Sequence, residues 1–251
     1  MEFFFKVTTE YDETDFKELL VRFCIWEKIN LNNTSTVSIN YIRQRCGYSS
    51  DNRNKSSFTT YIRKTLQRLM DRNEIELIYG NNVLTATGTS YLEFKILDKF
   101  NYISTKTFSK LTVSAFNTLM SIKCSISKST LLKVYTYIRS SIIENDQQAY
   151  GFYGSIKLAS RILGLNRKTV DICLDAFVEN GLFIKHSTGS CYVNGEPRNV
   201  PNIYVLPDDK ANKNIDALII ELKNKYKVDE FAPVLGAGQE NSNYEKGETN
   251  K

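Results

Sequence analysis

Arg167, Lys168 and Thr169 follow Asn166 in the stretch LGLNRKTVD, residues 163–171. A guanidinium, an ammonium and a hydroxyl in successive positions suit nucleic-acid readout. Arginine bonds guanine bidentately, and lysine and threonine reach phosphates or base edges. The residues around them supply the positioning. Gly164 lets the chain leave one helix sharply, and Leu165 anchors the turn. Asn166 caps the next helix through its side-chain oxygen, and Val170 begins that helix's buried stripe. The first exposed turn is then polar, as entry into a major groove requires. An ordinary capped core helix with a solvated face accounts for the same residues. Asp171 and Asp175 also fall on or near the exposed side, where acids repel phosphates.

A second candidate surface is electrostatically stronger. Between Thr36 and Arg72 the bases are Arg43, Arg45, Arg53, Lys55, Arg63, Lys64, Arg68 and Arg72, and the acids are Asp51 and Asp71. That segment carries +6, against +5 for the whole chain. Phe58, Ile62, Leu66 and Leu69 recur at helical spacing. Lys55, Ser57, Thr59, Thr60, Arg63, Lys64 and Gln67 fall outside this stripe and, with Arg53, form the expected DNA-binding face. A solvated basic helix is the plainer reading, but the scarcity of acids favours DNA contact. Asn81, Asn82 and Arg198, in loops, are within reach of the DNA backbone if the hairpins act as wings, although loops of this composition are usually plain turns.

Other chemistry finds little support. There is no phosphate-binding glycine loop, no G-x-S-x-G and no supported Cys/His dyad. With one histidine (His186) and five scattered cysteines, no zinc site of usual spacing can be drawn. The chain is therefore expected to be no enzyme, with neither cofactor nor metal. His186 reads as a strand residue, and the Asp208-Asp209 pair as the acidic start of a helix. Four of the cysteines lie in apolar or helical surroundings, which suits a reducing compartment. The opening MEFFFKVTTEYDE is not a signal peptide, and nothing approaches the ~20 apolar residues of a membrane span. A cytoplasmic protein with no membrane contact is expected.

The elements that must hold these residues repeat. TDFKELLVRFCIWEKIN (14–30) is an amphipathic helix ended by Asn32-Asn33. VSINYIRQRCGYSS gives a second, capped by Ser38 and stopped by Gly47. The helix around Phe58–Leu69 leads into a hairpin turning at Gly80-Asn81-Asn82. In the second half, helices TLLKVYTYIRSSI, GSIKLASRILGL and NRKTVDICLDAFVENGLFI precede strands LFIKHS and NIYVLP, separated by the loop TGSCYVNGEPRNVP. The predicted fold is mainly α with small β-hairpins (α+β), as two tandem winged helix-turn-helix domains. The first spans 1–100, a helical connector 101–127, and the second domain 128–207. A C-terminal helix (208–230) carries the stripe Ile215, Leu218, Ile219 and Leu222, and a disordered tail spans 231–251.

This layout resembles plasmid replication initiators with tandem winged-helix domains. FSKLTVSAFNTLMSIKCSISKSTLLKVYTYIRSS is similar to their connector and second-domain opening helix. SIKLASRILGLNRKTVDICLDAFVENGLFI resembles the winged-helix domain of phage replisome organisers. The resemblance covers most of residues 14–206. It implies a sequence-specific double-stranded DNA binder that occupies origin repeats of a plasmid or mobile element and recruits host replication proteins. A transcription regulator or transfer-origin accessory factor fits the same binding. An interaction protein is a third reading, with partners docked on the winged helices and a homodimer formed through the 215–222 helix.

Overall fold

Helix α1 (Phe16–Trp26) is buried along most of its length, from Leu19 through Ile25. Asp15 caps it, accepting from the amides of Lys17 at 3.0 Å and Glu18 at 3.2 Å. A helix buried on all sides must be surrounded. Packed on it are β2 (Thr34–Ser38), α2 (Ile39–Arg45), α3 (Ser57–Asp71) and α5 (Lys128–Ser140). The computed structural model describes residues 4–8, 15–48, 57–97, 108–142 and 149–233. The expected site residues Arg53 and Lys55, and the tail from 234, lie outside the described residues.

The helices form largely where the spacing places them. Ser38 caps α2 by accepting from the Tyr41 amide at 3.1 Å, and Ile39, Ile42 and Cys46 are buried together. All four apolar residues of the α3 stripe are buried. β2 is an addition. Its sequence TSTVS shows no apolar alternation, because the buried position Ser35 is polar. Ser35 is satisfied there by donating to the Ile25 carbonyl at 2.7 Å. With β3 (Ile75–Tyr79) and β4 (Tyr91–Ile96) it forms an antiparallel sheet in the order β2-β4-β3. The hairpin expected to turn at Gly80-Asn81-Asn82 instead has a loop over 80–90, held by buried Val83 and Ala86.

From residue 108, where it is described, the expected helical connector is a strand and then a helix. β5 (Phe108–Thr112) pairs with β1 (Phe4–Thr8), from Phe4↔Thr112 to Thr8↔Phe108, and runs into α4 (Val113–Ser121). Both β5 and α4 pack on α5. Helices α6 (Ile156–Leu163) and α7 (Arg167–Glu179) pack on α5 as well, with Tyr135 meeting Phe177 edge-on at 6.0 Å. One unit therefore comprises Met1–Ser141 and Ile156–Leu182, and the other Ile142–Ser155 and Phe183–Lys251. This grouping runs across the expected boundary at residue 128.

In the second unit β9 (Ile203–Val205) pairs with β6 (Ile184–His186), while Phe152 bridges to Tyr204 on β9. The stretch expected as a loop holds a further hairpin, β7 (Ser190–Val193) and β8 (Glu196–Asn199). Asn194 and Gly195, at φ 54° and 81°, make the two-residue turn that such a pair favours. Helix α8 (Ala211–Tyr226) buries Ile215, Leu218 and Leu222 against Cys191, Val200, Ile203 and Val205. The stripe proposed for a homodimer is thus covered within its own unit. Ala232 pairs with Ser190, so strand-like order extends past residue 231, the expected start of a disordered tail. The described residues form an α+β fold of eight helices and small antiparallel sheets.

Candidate nucleic-acid interface

The α6–α7 corner is built by its backbone. Gly164 adopts φ +61°, with Leu165 N–H donating to Ser160 at 2.9 Å and Gly164 N–H to Arg161 at 3.3 Å. This closes α6 with the paired bonds of a left-handed C-terminal cap. Asn166 then accepts from the Lys168 amide at 2.9 Å and caps α7. Arg167 and Lys168 are exposed, Thr169 is half-buried and Val170 is buried. Asp171 and Asp175 are exposed on the same helix.

Helix α6 adds two exposed cations outside the sequence-based set, Lys157 and Arg161. Their spacing of four residues, the signal that could have found them, places them on one helical face. Among the described residues, Lys157, Arg161, Arg167 and Lys168 have no side-chain hydrogen-bond or ion-pair partner. Four cations thus stand free of the described structure on α6 and the first turn of α7.

The α3 surface is less basic than its sequence. Ser57, Thr60 and Lys64 are exposed, but Thr59 is 1% exposed and belongs to the interior. Arg63 lies against the loop after β3, donating through Nε at 3.0 Å and Nη2 at 2.5 Å to the Ala86 carbonyl. Gln67 donates to Asp71 at 2.8 Å.

The remaining arginines find acids from outside the counted segment. Arg68 lies 3.3 Å from Glu18 and 3.9 Å from Asp15, and Arg72 lies 2.6 Å from Glu18 and 3.3 Å from Glu74. Arg45 pairs with Glu27 at 2.8 Å, and that bond raises the guanidinium above even its ordinary range. Arg43 is buried. Folding brings the acids of α1 against the bases of α2 and α3, so a local charge count overstates the surface.

The flanking candidates divide. Arg198 is exposed on β8, opposite Cys191, and Asn81 is exposed. Asn82 serves its own turn by accepting from the Leu84 amide at 2.9 Å. His186 is half-buried on β6 opposite Ile203. Asp208 accepts from the Tyr150 hydroxyl at 2.8 Å and the Lys210 amide at 3.0 Å, which ties down the start of α8.

Cys24, Cys46, Cys173 and Cys191 are buried free thiols, and Cys124 is exposed. Among the described residues, no group of three His, Cys, Asp or Glu side chains is placed to hold a metal ion. No helix among them is long and apolar enough to cross a membrane. The chain matches no protein-family model and no curated protein.

Proposed function

We propose that the protein is a sequence-specific double-stranded DNA-binding protein of two winged helix-turn-helix modules, acting at origin repeats to initiate replication of a plasmid or mobile element. The exposed first turn of α7, with Arg167 and Lys168 beside Lys157 and Arg161, carries the reading. In a helix-turn-helix the recognition helix offers its N-terminal residues to base edges while the preceding helix crosses the backbone. Arg167 then reads bases, and Lys157, Arg161 and Lys168 hold phosphates. Lys64, Thr60 and Ser57 give the first module a smaller surface of the same kind.

Chain order supports the reading. Helix, strand, helix, helix, strand, strand runs through α1, β2, α2, α3, β3 and β4, with β4 central. A similar order follows as α5, the isolated Phe152 bridge, α6, α7, β6 and β9, with the β7–β8 hairpin inserted between β6 and β9 and with β9 paired on both sides.

Fluorescence anisotropy on labelled duplexes tests the proposal from about 50 to 200 mM salt. Affinity for a repeat-bearing duplex should exceed that for random DNA and fall steeply with salt. Equal affinity for both, or no salt dependence, rejects it. Iterated repeats beside the gene favour the initiator role, and a single palindrome over a promoter favours a regulator.

A further inference from the structure

Among the residues whose side chains the structure describes, every aromatic ring standing out into solvent lies on one of two hairpins. Tyr79 is 69% exposed and Tyr91 70% on β3–β4, and Tyr192 is 68% exposed on β7. The other rings among those residues are buried or half-buried. The outward position of Tyr79 is built in. Leu77 pairs with Phe94 and Tyr79 with Glu93, so Ile78 is an extra residue that bulges the strand. Strict alternation from Ile75 would turn residue 79 inward with Leu77, and the bulge re-aims it outward.

Gly80 follows at φ +122°, and a Cβ there would lie 2.8 Å from the Tyr91 carbonyl oxygen. Only glycine lets the two strands approach so closely beside these tyrosines. Between them opens a groove of about 620 Å³, lined by Leu77, Ile78, Asn81 and Ser90 as well as both rings.

Among the described residues, no charged side chain lines this groove. Phosphates and acidic peptides are therefore poor occupants. Uncharged rings with an amide and hydroxyls beside them match the faces and edges of nucleobases, which stack on aromatic side chains regardless of sequence. The phosphates of such a strand would meet a chain of net charge +5. A paired base offers neither face, so the groove selects unpaired bases.

We infer that the hairpin tyrosines bind single-stranded DNA through its bases, an activity additional to duplex recognition. The inference rests on the DNA-binding reading above.

The test uses the full chain, a labelled oligothymidine of about 16 nucleotides, an abasic strand of equal length and charge, and the repeat-bearing duplex. The protein should bind oligothymidine more tightly than the abasic strand. The double variant Tyr79→Ala/Tyr91→Ala should lose roughly 5- to 150-fold in that affinity for each stacked base removed. Tyr79→Phe/Tyr91→Phe should retain it, because stacking needs the ring and not the hydroxyl. Circular dichroism should match for all three proteins, since both side chains are exposed.

Equal binding of oligothymidine and the abasic strand overturns the inference, as does an alanine variant that binds oligothymidine normally. An alanine variant losing duplex affinity to the same extent also overturns it, because the rings would then serve the duplex. Normal duplex binding in the first two cases leaves the DNA-binding reading standing. Absent duplex binding with base-dependent oligothymidine binding rejects duplex recognition alone.

Discussion

The Arg72 guanidinium donates to the Glu18 carboxylate at 2.6 Å, across 54 residues of chain. Glu18 also accepts from Arg22, which is 1% exposed and bonds Glu74 at 2.9 Å. One buried carboxylate on α1 thus gathers Arg22, Arg68 and Arg72. Removing one partner of a buried ion pair leaves an uncompensated charge, at a cost of about 3–5 kcal/mol. Glu18→Gln should destabilise the protein by roughly 3 kcal/mol, near the low end because Glu74 still holds Arg22. Urea unfolding measures this. Arg72→Ala should leave DNA affinity unchanged, and an affinity loss matching that of a Lys64 variant would place Arg72 in the interface.

Arg167→Ala/Lys168→Ala should weaken binding to every duplex and abolish the preference for repeat DNA. The slope of log affinity against log salt should become shallower by about 1 for each phosphate the variant no longer neutralises. Anisotropy titrations over a salt series give both quantities. An unchanged slope with retained discrimination would remove α7 from the interface.

Asn166 separates helix formation from binding. Asn166→Ala should cost about 0.5–2 kcal/mol of stability through removal of the cap, read by thermal or urea unfolding. Asn166→Asp keeps the cap and favours the helix dipole. It should therefore hold stability while lowering DNA affinity, because it sets a carboxylate beside Arg167. Normal affinity in the Asp variant would mean that phosphates do not approach this turn.

Thiol labelling reports the packing of the first unit. Burial pushes the Cys173 thiol up to about 12, and it holds the Cys24 thiol well above its ordinary value beside Cys46, 3.8 Å away. Thiolate is the reactive form. In native protein at pH 8, iodoacetamide should modify Cys124 and leave Cys24, Cys46 and Cys173 intact until urea is added. Mass spectrometry locates the adducts, and rapid native labelling of Cys173 would contradict its burial.

The second unit should weaken in alkali. Its hydrogen bond to Glu221, together with burial, pushes the Tyr153 hydroxyl up to about 12 from its ordinary 10. The folded state then holds the proton more tightly than the unfolded chain. The stabilisation is complete below pH 10 and is lost as pH rises towards 12. Tyr153→Phe should flatten this part of the stability profile, followed by denaturation at stepped pH. An unchanged profile would show that Tyr153 is not its source.

Much of the local structure is legible in the sequence. Ser38, Asn166, Gly164 and the apolar stripes of α3 and α7 act over four or five residues, so short-range spacing reports them. The Asn194-Gly195 turn is a signal of the same short range, although it lies inside a stretch whose polar composition reads as loop. Strand β2 is not legible, because hydrogen bonding to α1 lets a serine fill its buried position.

Sequence alone determined where α2, α6 and α7 begin or end and which apolar residues of α3 and α7 face inward, because caps, glycines and helical period are local. Only the tertiary structure decided which charges remain available. Arg45, Arg68 and Arg72 are met by Glu27, Glu18 and Asp15 from outside their own segment, whereas Arg167 and Lys168 meet no described partner. Electrostatic pairing depends on distance in space and not along the chain. A count taken along the sequence therefore places the basic surface on α3, and packing shifts the weight of the proposal to α6 and α7.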